Sequence, residues 1–136
     1  MIYELLALSE VLATVRETGT EVRYYDPKCS QDVAGFYRFG PNVDRLVICP
    51  DNQLNHSDLF DTIRHEAIHV VQACNGWEPV FTTDTIASKV TPEIRDSLSA
   101  YPQDRQTQEL ETEAYVLSEH LSEDLVVSLL EKYCFR

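Results

Sequence analysis

Residues 57–74 read SDLFDTIRHEAIHVVQAC, and this stretch predicts the helix around which the rest of the chain is organised. Ser57 is the predicted N-cap, and Asn75-Gly76 is the predicted stop signal. On a helical wheel the two faces differ in chemistry. One side carries Phe60, Ile63, Ala67, Val71 and Cys74, and the other carries Thr62, His65, His69, Gln72 and Ala73. This split predicts a helix whose back packs in a core and whose front lines a cleft.

The front of this helix contains an H-E-x-x-H motif formed by His65, Glu66 and His69. Residues four apart lie about 40° from each other around a helix, so both imidazoles can bind one metal ion. Glu66 is placed to take a proton from a water held by that metal. The alternative is a pair of surface histidines beside a solvated glutamate.

Two imidazoles leave a catalytic zinc site incomplete, because such sites take three protein ligands and keep one position open. The sequence offers several candidates for the third ligand. They are His56 before the helix, His120 near the end of a later helix, and Glu109, Glu111 and Glu113 within that later helix. Without the structure each glutamate can equally be part of an exposed acidic helix start, which the helix dipole favours.

The flanking segments predict one α+β domain over residues 1–136. We expect helices over residues 2–17, 57–74, 104–121 and 122–133, and a short helix opened by Thr91-Pro92-Glu93. Strands are predicted over residues 20–25, 35–39 and 45–49, the last two joined by the turn-rich loop 40–44. Residues 77–90 show no clear period.

Composition restricts the function classes. The 136 residues carry a net charge of −12, which argues against nucleic acids and anionic membranes as partners, because both require a basic surface. No apolar run is long enough to cross a membrane, and the beginning of the chain has no basic leader, so a cytoplasmic location is expected.

The four cysteines, Cys29, Cys49, Cys74 and Cys134, form no C-x-x-C pair and are not predicted to bind zinc. In a reducing cytoplasm they are expected to be free thiols. If they are oxidised, their positions favour pairing 29 with 49 and 74 with 134.

Three segments together resemble the gluzincin metallopeptidases, and within them the small ImmA/IrrE-type metallopeptidase domain of bacteria and phages. The first is the pair of strands containing Gly35-Phe36-Tyr37 and Leu46-Val47-Ile48. The second is the segment DTIRHEAIH over residues 61–69, and the third is Glu111-Thr112-Glu113-Ala114, similar to that family's E-x-x-A segment.

The resemblance implies a minimal zincin-like domain in which a small antiparallel sheet packs on the metal helix. It makes His65 and His69 ligands of one catalytic zinc ion and Glu66 the general base. Glu111 becomes the third ligand because it lies three residues before Ala114. The family often has Asp or Asn where this chain has Tyr115, so Glu113 and Glu109 remain alternates, in that order.

The function expected from this resemblance is zinc-dependent hydrolysis of a peptide bond, by an endopeptidase rather than an exopeptidase. Residues 45–49 are predicted to be an edge strand that holds an extended peptide. Candidates for stabilising the oxyanion are Tyr37, Tyr101, Tyr115 and His120. The expected partner is a peptide or protein substrate, and a second protein completing the cleft is possible. The alternative is a catalytically silent zinc-binding module with a regulatory or protein-interaction role.

Overall fold

The computed structural model describes residues 2–135 and confirms the α+β class. Its helices are α1 (Ile2–Leu8), α2 (Glu10–Glu17), α3 (His56–Cys74), α4 (Thr83–Ala87), α5 (Pro92–Leu98), α6 (Arg105–His120) and α7 (Glu123–Cys134). Its strands are β1 (Glu21–Arg23), β2 (Gly35–Gly40) and β3 (Val43–Ile48). Short 3-10 turns cover Pro27–Gln31 and Pro50–Asn52.

The predicted N-terminal helix is two helices in the structure. Ser9 interrupts it, because its hydroxyl oxygen accepts a hydrogen bond from the backbone N–H of Leu12 and so begins α2 as an N-cap. Helix α3 begins slightly earlier than predicted, since the N-cap is Asn55 and not Ser57. The segment without a clear period contains the short helix α4, capped by Thr82.

The sheet has the order β1-β3-β2. Strand β2 pairs with β3 in an antiparallel hairpin closed at Gly40 and Val43, whereas β1 pairs with β3 in parallel. The sheet is therefore mixed, and the expectation of an antiparallel sheet is wrong for β1. The predicted edge strand over residues 45–49 lies mostly in β3, which is the central strand, so it has no free edge for a peptide.

Helix α3 lies at the centre of the packing and contacts α2, α6, α7 and β2. Of the back face that the helical wheel predicts, Ile63, Ala67 and Val71 are fully buried, whereas Phe60 and Cys74 are partly buried; Leu59, which the wheel did not place there, is fully buried too. Because one face is fixed in this core, the opposite face with the H-E-x-x-H motif has a fixed position relative to α6 and β2.

Both pairs of cysteines are disulfide-bonded, and this corrects the expectation of free thiols. Cys29–Cys49 joins the first 3-10 turn to the end of β3, and Cys74–Cys134 joins the ends of α3 and α7. These are the pairings that the sequence positions favour. Over residues 2–135, no helix combines the length and apolarity needed to span a membrane.

Candidate metal centre

Helices α3 and α6 bring His65, His69 and Glu111 together. One Glu111 carboxylate oxygen lies 3.1 Å from Nε2 of His65, and the other lies 3.0 Å from Nε2 of His69. The relative position of the helices is secured by Arg64, whose Nε donates to the backbone carbonyl of Ser118 on α6 at 2.9 Å. The three side chains ranked first as metal ligands from the sequence therefore lie together, although Glu111 is more than forty residues from either histidine along the chain.

The three side chains are placed so that they could hold one metal ion. One ligand atom from each lies within 4.8 Å of the others, and both histidines are buried. Ligands of a tetrahedral zinc ion at about 2.0–2.1 Å lie roughly 3.3 Å from one another. The distances between the imidazole nitrogens and the carboxylate oxygens, 3.0–3.2 Å, are close to that spacing. Two imidazoles and one carboxylate are also a ligand set that zinc prefers at catalytic sites.

Gln72, one turn after His69, is a functional residue that the sequence reasoning placed on the correct face without giving it a role. Its amide nitrogen donates to the backbone carbonyl of Leu110 and to Glu113, both at 3.0 Å. Its amide oxygen must therefore face His69 Nδ1, at 2.8 Å, and accept a hydrogen bond from it. With Nδ1 carrying a proton, Nε2 is the nitrogen of His69 that is left to bind a metal ion, and it already lies beside Glu111.

Glu113 does not belong to the metal group, although it was the first alternate for the third ligand. Its side chain is buried, with 1% exposed, and accepts from the backbone N–H groups of Val80 and Phe81 as well as from Gln72. The bonds from Val80 and Phe81 secure the segment after α3 to α6, and the bond from Gln72 joins α3 itself to α6. Glu113 therefore fixes the position of Gln72, which in turn orients His69.

The remaining candidates for the third ligand also lie elsewhere. Glu109 is paired with Arg105 on the exposed side of α6, at 2.8 Å. His56 and His120 are exposed residues at the first position of α3 and the last position of α6. Of the five candidates, the structure groups only Glu111 with the two histidines.

Glu66 lies beside the group with an unused oxygen. The residue is 7% exposed, and its Oε1 is 3.9 Å from Nε2 of His65. Its buried Oε2 has no hydrogen-bond partner among the described residues. A buried carboxylate oxygen without a donor is costly, so a donor such as a water molecule or a substrate N–H group is expected there.

Gly35, the first residue of β2, allows the strand to approach this part of α3. A Cβ atom at this position would lie 2.8 Å from the carbonyl oxygen of Val47 and 2.9 Å from Cγ2 of Thr62, closer than real Cβ atoms come. It would also lie 3.5 Å from Cγ of Glu66. Glycine is therefore needed for the start of β2 to form a wall beside Glu66.

Without a metal, His69 and Glu111 are held together as an ion pair. Burial lowers the pKa of His69, but the hydrogen bond with Glu111 and the charges of Glu66 and Glu111 outweigh burial and raise that pKa to about 9. Burial raises the pKa of Glu111, but the hydrogen bonds with His65 and His69 outweigh it and lower that pKa to about 2. A divalent cation bound here would compete with the proton on His69.

Two tyrosines lie on the His65 side of the site. The ring of Tyr115 meets the imidazole of His65 edge-on, with centroids 4.4 Å apart, and its hydroxyl is 3.1 Å from that of Tyr101. Burial raises the pKa of both hydroxyls, so both stay protonated and can donate hydrogen bonds. Tyr115 thus contacts His65 through its ring and Tyr101 through its hydroxyl.

The other two candidates for stabilising the oxyanion are placed differently. The Tyr37 hydroxyl donates to Oδ1 of Asp44 at 2.7 Å, and His120 is exposed at the end of α6. Tyr101 and Tyr115, by contrast, line the same cavity as His65 and Glu66.

Two cavities lie against the site. The larger, of 370 Å³, has charged walls that include Asp61, Glu66 and Glu119. The smaller, of 180 Å³, lies against His69 and Glu111 and is lined otherwise by Tyr37, Trp77, Thr107 and Leu110. Strand β2 contributes to both, through Gly35 to the first and Tyr37 to the second, so β2 rather than β3 is the strand beside the site.

The chain belongs to the family described as Domain of unknown function (DUF8637), whose match covers residues 5–135. Comparisons with curated proteins and with solved structures find no significant match. The family description names no activity, so the chemistry has to be argued from the site.

Proposed function

We propose that this member of the family is a zinc-dependent peptidase that hydrolyses a peptide bond with Glu66 as general base. The observation that carries the proposal is the unpaired Oε2 of Glu66 beside the His65–His69–Glu111 group, which could hold one metal ion. A site that only stored zinc for structural purposes would have no need of a buried carboxylate without a partner. Two histidines on one helix and a glutamate on a later helix are also what the resemblance to the gluzincins implies.

A bound zinc ion supplies Lewis acidity, which polarises a carbonyl group and lowers the pKa of water. Glu66 accepts the proton of the attacking water and delivers it to the leaving amine, so the carboxylate is regenerated in each cycle. Its burial favours this role because few water molecules from the solvent can hydrogen-bond to the carboxylate and compete with the attacking water. His65, His69 and Glu111 hold the ion, and Gln72 keeps His69 in the tautomer that can do so.

The negative charge that develops on the carbonyl oxygen needs donors besides the metal. Tyr101 and Tyr115 are the donors we assign, since both are protonated and line the cavity that contains His65 and Glu66. Only one hydroxyl donates in the hydrogen bond between them, and we assign the O–H of the other to the substrate oxygen.

Metal analysis and a set of glutamate variants test this proposal. Purified protein is expected to carry about one zinc ion, and His69→Ala and Glu111→Gln are expected to lose it. Glu66→Gln is expected to retain zinc and to lose cleavage of a peptide library by about 10²–10⁴-fold. The matched control is Glu109→Gln, because Glu109 lies on the same helix as Glu111 but outside the metal group.

Two results would overturn the proposal. Zinc content that is unchanged in His69→Ala or Glu111→Gln shows that the metal is bound elsewhere. Full activity in Glu66→Gln shows that the proton is taken by another group. Absence of cleavage in a zinc-loaded wild-type protein instead favours the alternative function, a silent zinc-binding module.

The two disulfides bear on where the protein works. Thiols are kept reduced in most cytoplasms, whereas disulfides persist in oxidising compartments. The cytoplasmic location expected from the sequence stays a prediction, and pairing of all four cysteines favours an oxidising environment instead. Mass spectrometry of protein alkylated without reduction distinguishes the two, since the disulfide-bonded form takes up no label.

A further inference from the structure

Three aromatic side chains form a cluster beside the smaller cavity of the site. We call Tyr37, Phe39 and Trp77 the aromatic cluster; their ring centroids are 5.9–6.2 Å apart. Tyr37 and Phe39 are alternate residues of β2 and so share a face of the sheet. Phe39 is 52% exposed although it is a large apolar residue. The cluster therefore extends from the surface to the cavity that His69 and Glu111 also line.

The backbone of Trp77 has an unusual conformation that places its indole in this cluster. Its φ is +60°, in the left-handed region, where Cβ of a bulky residue approaches a carbonyl oxygen too closely. The conformation is held at both ends: the Trp77 N–H donates to the carbonyl of Gln72 at 2.8 Å, and its carbonyl accepts from Nε2 of Gln106 at 3.2 Å. Glycine or asparagine would form this turn without strain, so the turn itself does not account for a tryptophan here.

The walls of the smaller cavity indicate which chemistry it accepts. Besides Tyr37 and Trp77, it is lined by Thr107 and Leu110, and its only carboxylate is that of Glu111. Both oxygens of that carboxylate are engaged by the two histidines, so no free negative charge faces the aromatic cluster. The larger cavity differs in charge, since the carboxylates of Asp61, Glu66 and Glu119 all line it.

We infer that the aromatic cluster is a substrate subsite, which binds a large apolar side chain, aromatic or long aliphatic, of a peptide lying across the His65–His69–Glu111 group. This inference rests on the proposed peptidase function and adds the class of residue that the substrate carries near the bond to be cleaved. The side chain packs against Trp77 and Tyr37 in the cavity, and exposed Phe39 extends the contact outward. Offset and edge-on contacts between rings favour aromatic occupants over aliphatic ones of the same size.

The chain offers a direct probe, because Trp77 is its only tryptophan. The experiment uses zinc-loaded Glu66→Gln, in which a peptide stays intact, and follows tryptophan emission during titration. The titrants are acetylated, amidated pentapeptides of alanine with Phe, Ala or Lys at the central position. We expect the Phe peptide to shift the emission to shorter wavelength and to bind at least tenfold more tightly than the Ala peptide.

Two further variants show whether the signal arises at the cluster. Phe39→Ala in the Glu66→Gln background is expected to lose most of the preference for Phe. Phe135→Ala is the matched control, since Phe135 is also exposed, at 42%, and lines none of the cavities of the site. Equal affinity for the Phe and Ala peptides, unchanged emission, or tighter binding of the Lys peptide overturns the inference.

The same peptides separate this inference from the proposed function. If zinc-loaded wild-type protein cleaves none of them while the Phe peptide still binds at Trp77, the peptidase proposal fails and the subsite stands. If the wild type cleaves all three peptides at equal rates, and binding shows no preference, the subsite fails and the peptidase proposal stands.

Discussion

Replacing Gln72 by methionine tests whether the hydrogen bond between Gln72 and His69 controls metal binding by His65, His69 and Glu111. Methionine has a similar length and an unbranched chain, so Gln72→Met keeps the packing of a residue that is 0% exposed. It removes the acceptor of the His69 Nδ1–H group and the donor to Leu110 and Glu113. Glu113 keeps two backbone donors and the Leu110 carbonyl lies within α6, so among these contacts it is the His69 Nδ1–H group that loses its partner.

The size of the effect follows from this orphaned donor. A buried donor without a partner costs about 1–3 kcal/mol, which should appear as a lower free energy of unfolding of the metal-free protein. Loss of a partner that orients a ligating histidine typically weakens metal binding by 10–100-fold, equal to about 1.4–2.7 kcal/mol. We therefore expect zinc affinity to fall within that range while the bound metal remains one ion per chain.

The assay is competition for zinc against a chromophoric chelator, combined with urea unfolding of the metal-free protein. Gln31→Leu is the control, because Gln31 is an exposed glutamine outside the metal centre. Zinc affinity in Gln72→Met equal to that of the wild type would refute the reasoning, since Gln72 would then not set the tautomer of His69. A fall as large in the control would show that the assay reports general destabilisation.

Three further perturbations test separate parts of the structure. Replacing both Cys74 and Cys134 by serine should lower the free energy of unfolding by about 4 kcal/mol, and replacing both Cys29 and Cys49 by about 3 kcal/mol. The first loss is larger because the disulfide closes a longer loop, with a sequence separation of 60 against 20, and so restricts the unfolded chain more. The reverse order in urea unfolding would contradict this argument. In the metal-free protein the raised pKa of His69 (6.5 to about 9) and the lowered pKa of Glu111 (4.5 to about 2) stabilise the fold fully between pH 4.5 and 6.5. This stabilisation is lost as the pH rises through about 9 or falls through about 2, and a urea midpoint independent of pH would exclude it. Gly35→Ala should reduce both stability and activity, since its Cβ would meet the carbonyl oxygen of Val47 at 2.8 Å, and an unaffected melting temperature would count against the close approach of β2.

Much of the secondary structure follows from local patterns. The apolar stripe and the stop signal place α3 almost completely, and Ser122 caps α7 as expected. The break at Ser9 was missed because the apolar period continues on both sides of it, so that only the cap hydrogen bond marks it. The pairing of β1 was missed for another reason. The residues of a three-residue strand do not determine which strand it pairs with or whether the pairing is parallel.

The cysteines illustrate a different limit of sequence reasoning. Their positions beside the hairpin and at two helix ends favour the pairings that the structure shows. Whether they are oxidised depends on distances between segments up to 60 residues apart and on the redox environment. Local sequence patterns give information on neither of these. The roles of Gln72 and Glu113 were missed likewise, because each depends on contacts between α3, α6 and the segment after α3.

The sequence by itself determined the pair His65 and His69 with Glu66 beside them, because spacing by four residues brings two side chains to one helix face whatever surrounds the helix. Only the tertiary structure decided that Glu111 joins them. Successive candidates at 109, 111 and 113 are two residues apart, so Glu111 points about 160° around α6 from either alternate. Which of these directions faces the histidines depends on how α6 packs against α3, and that is set by the shared core and not by the residues of α6 alone.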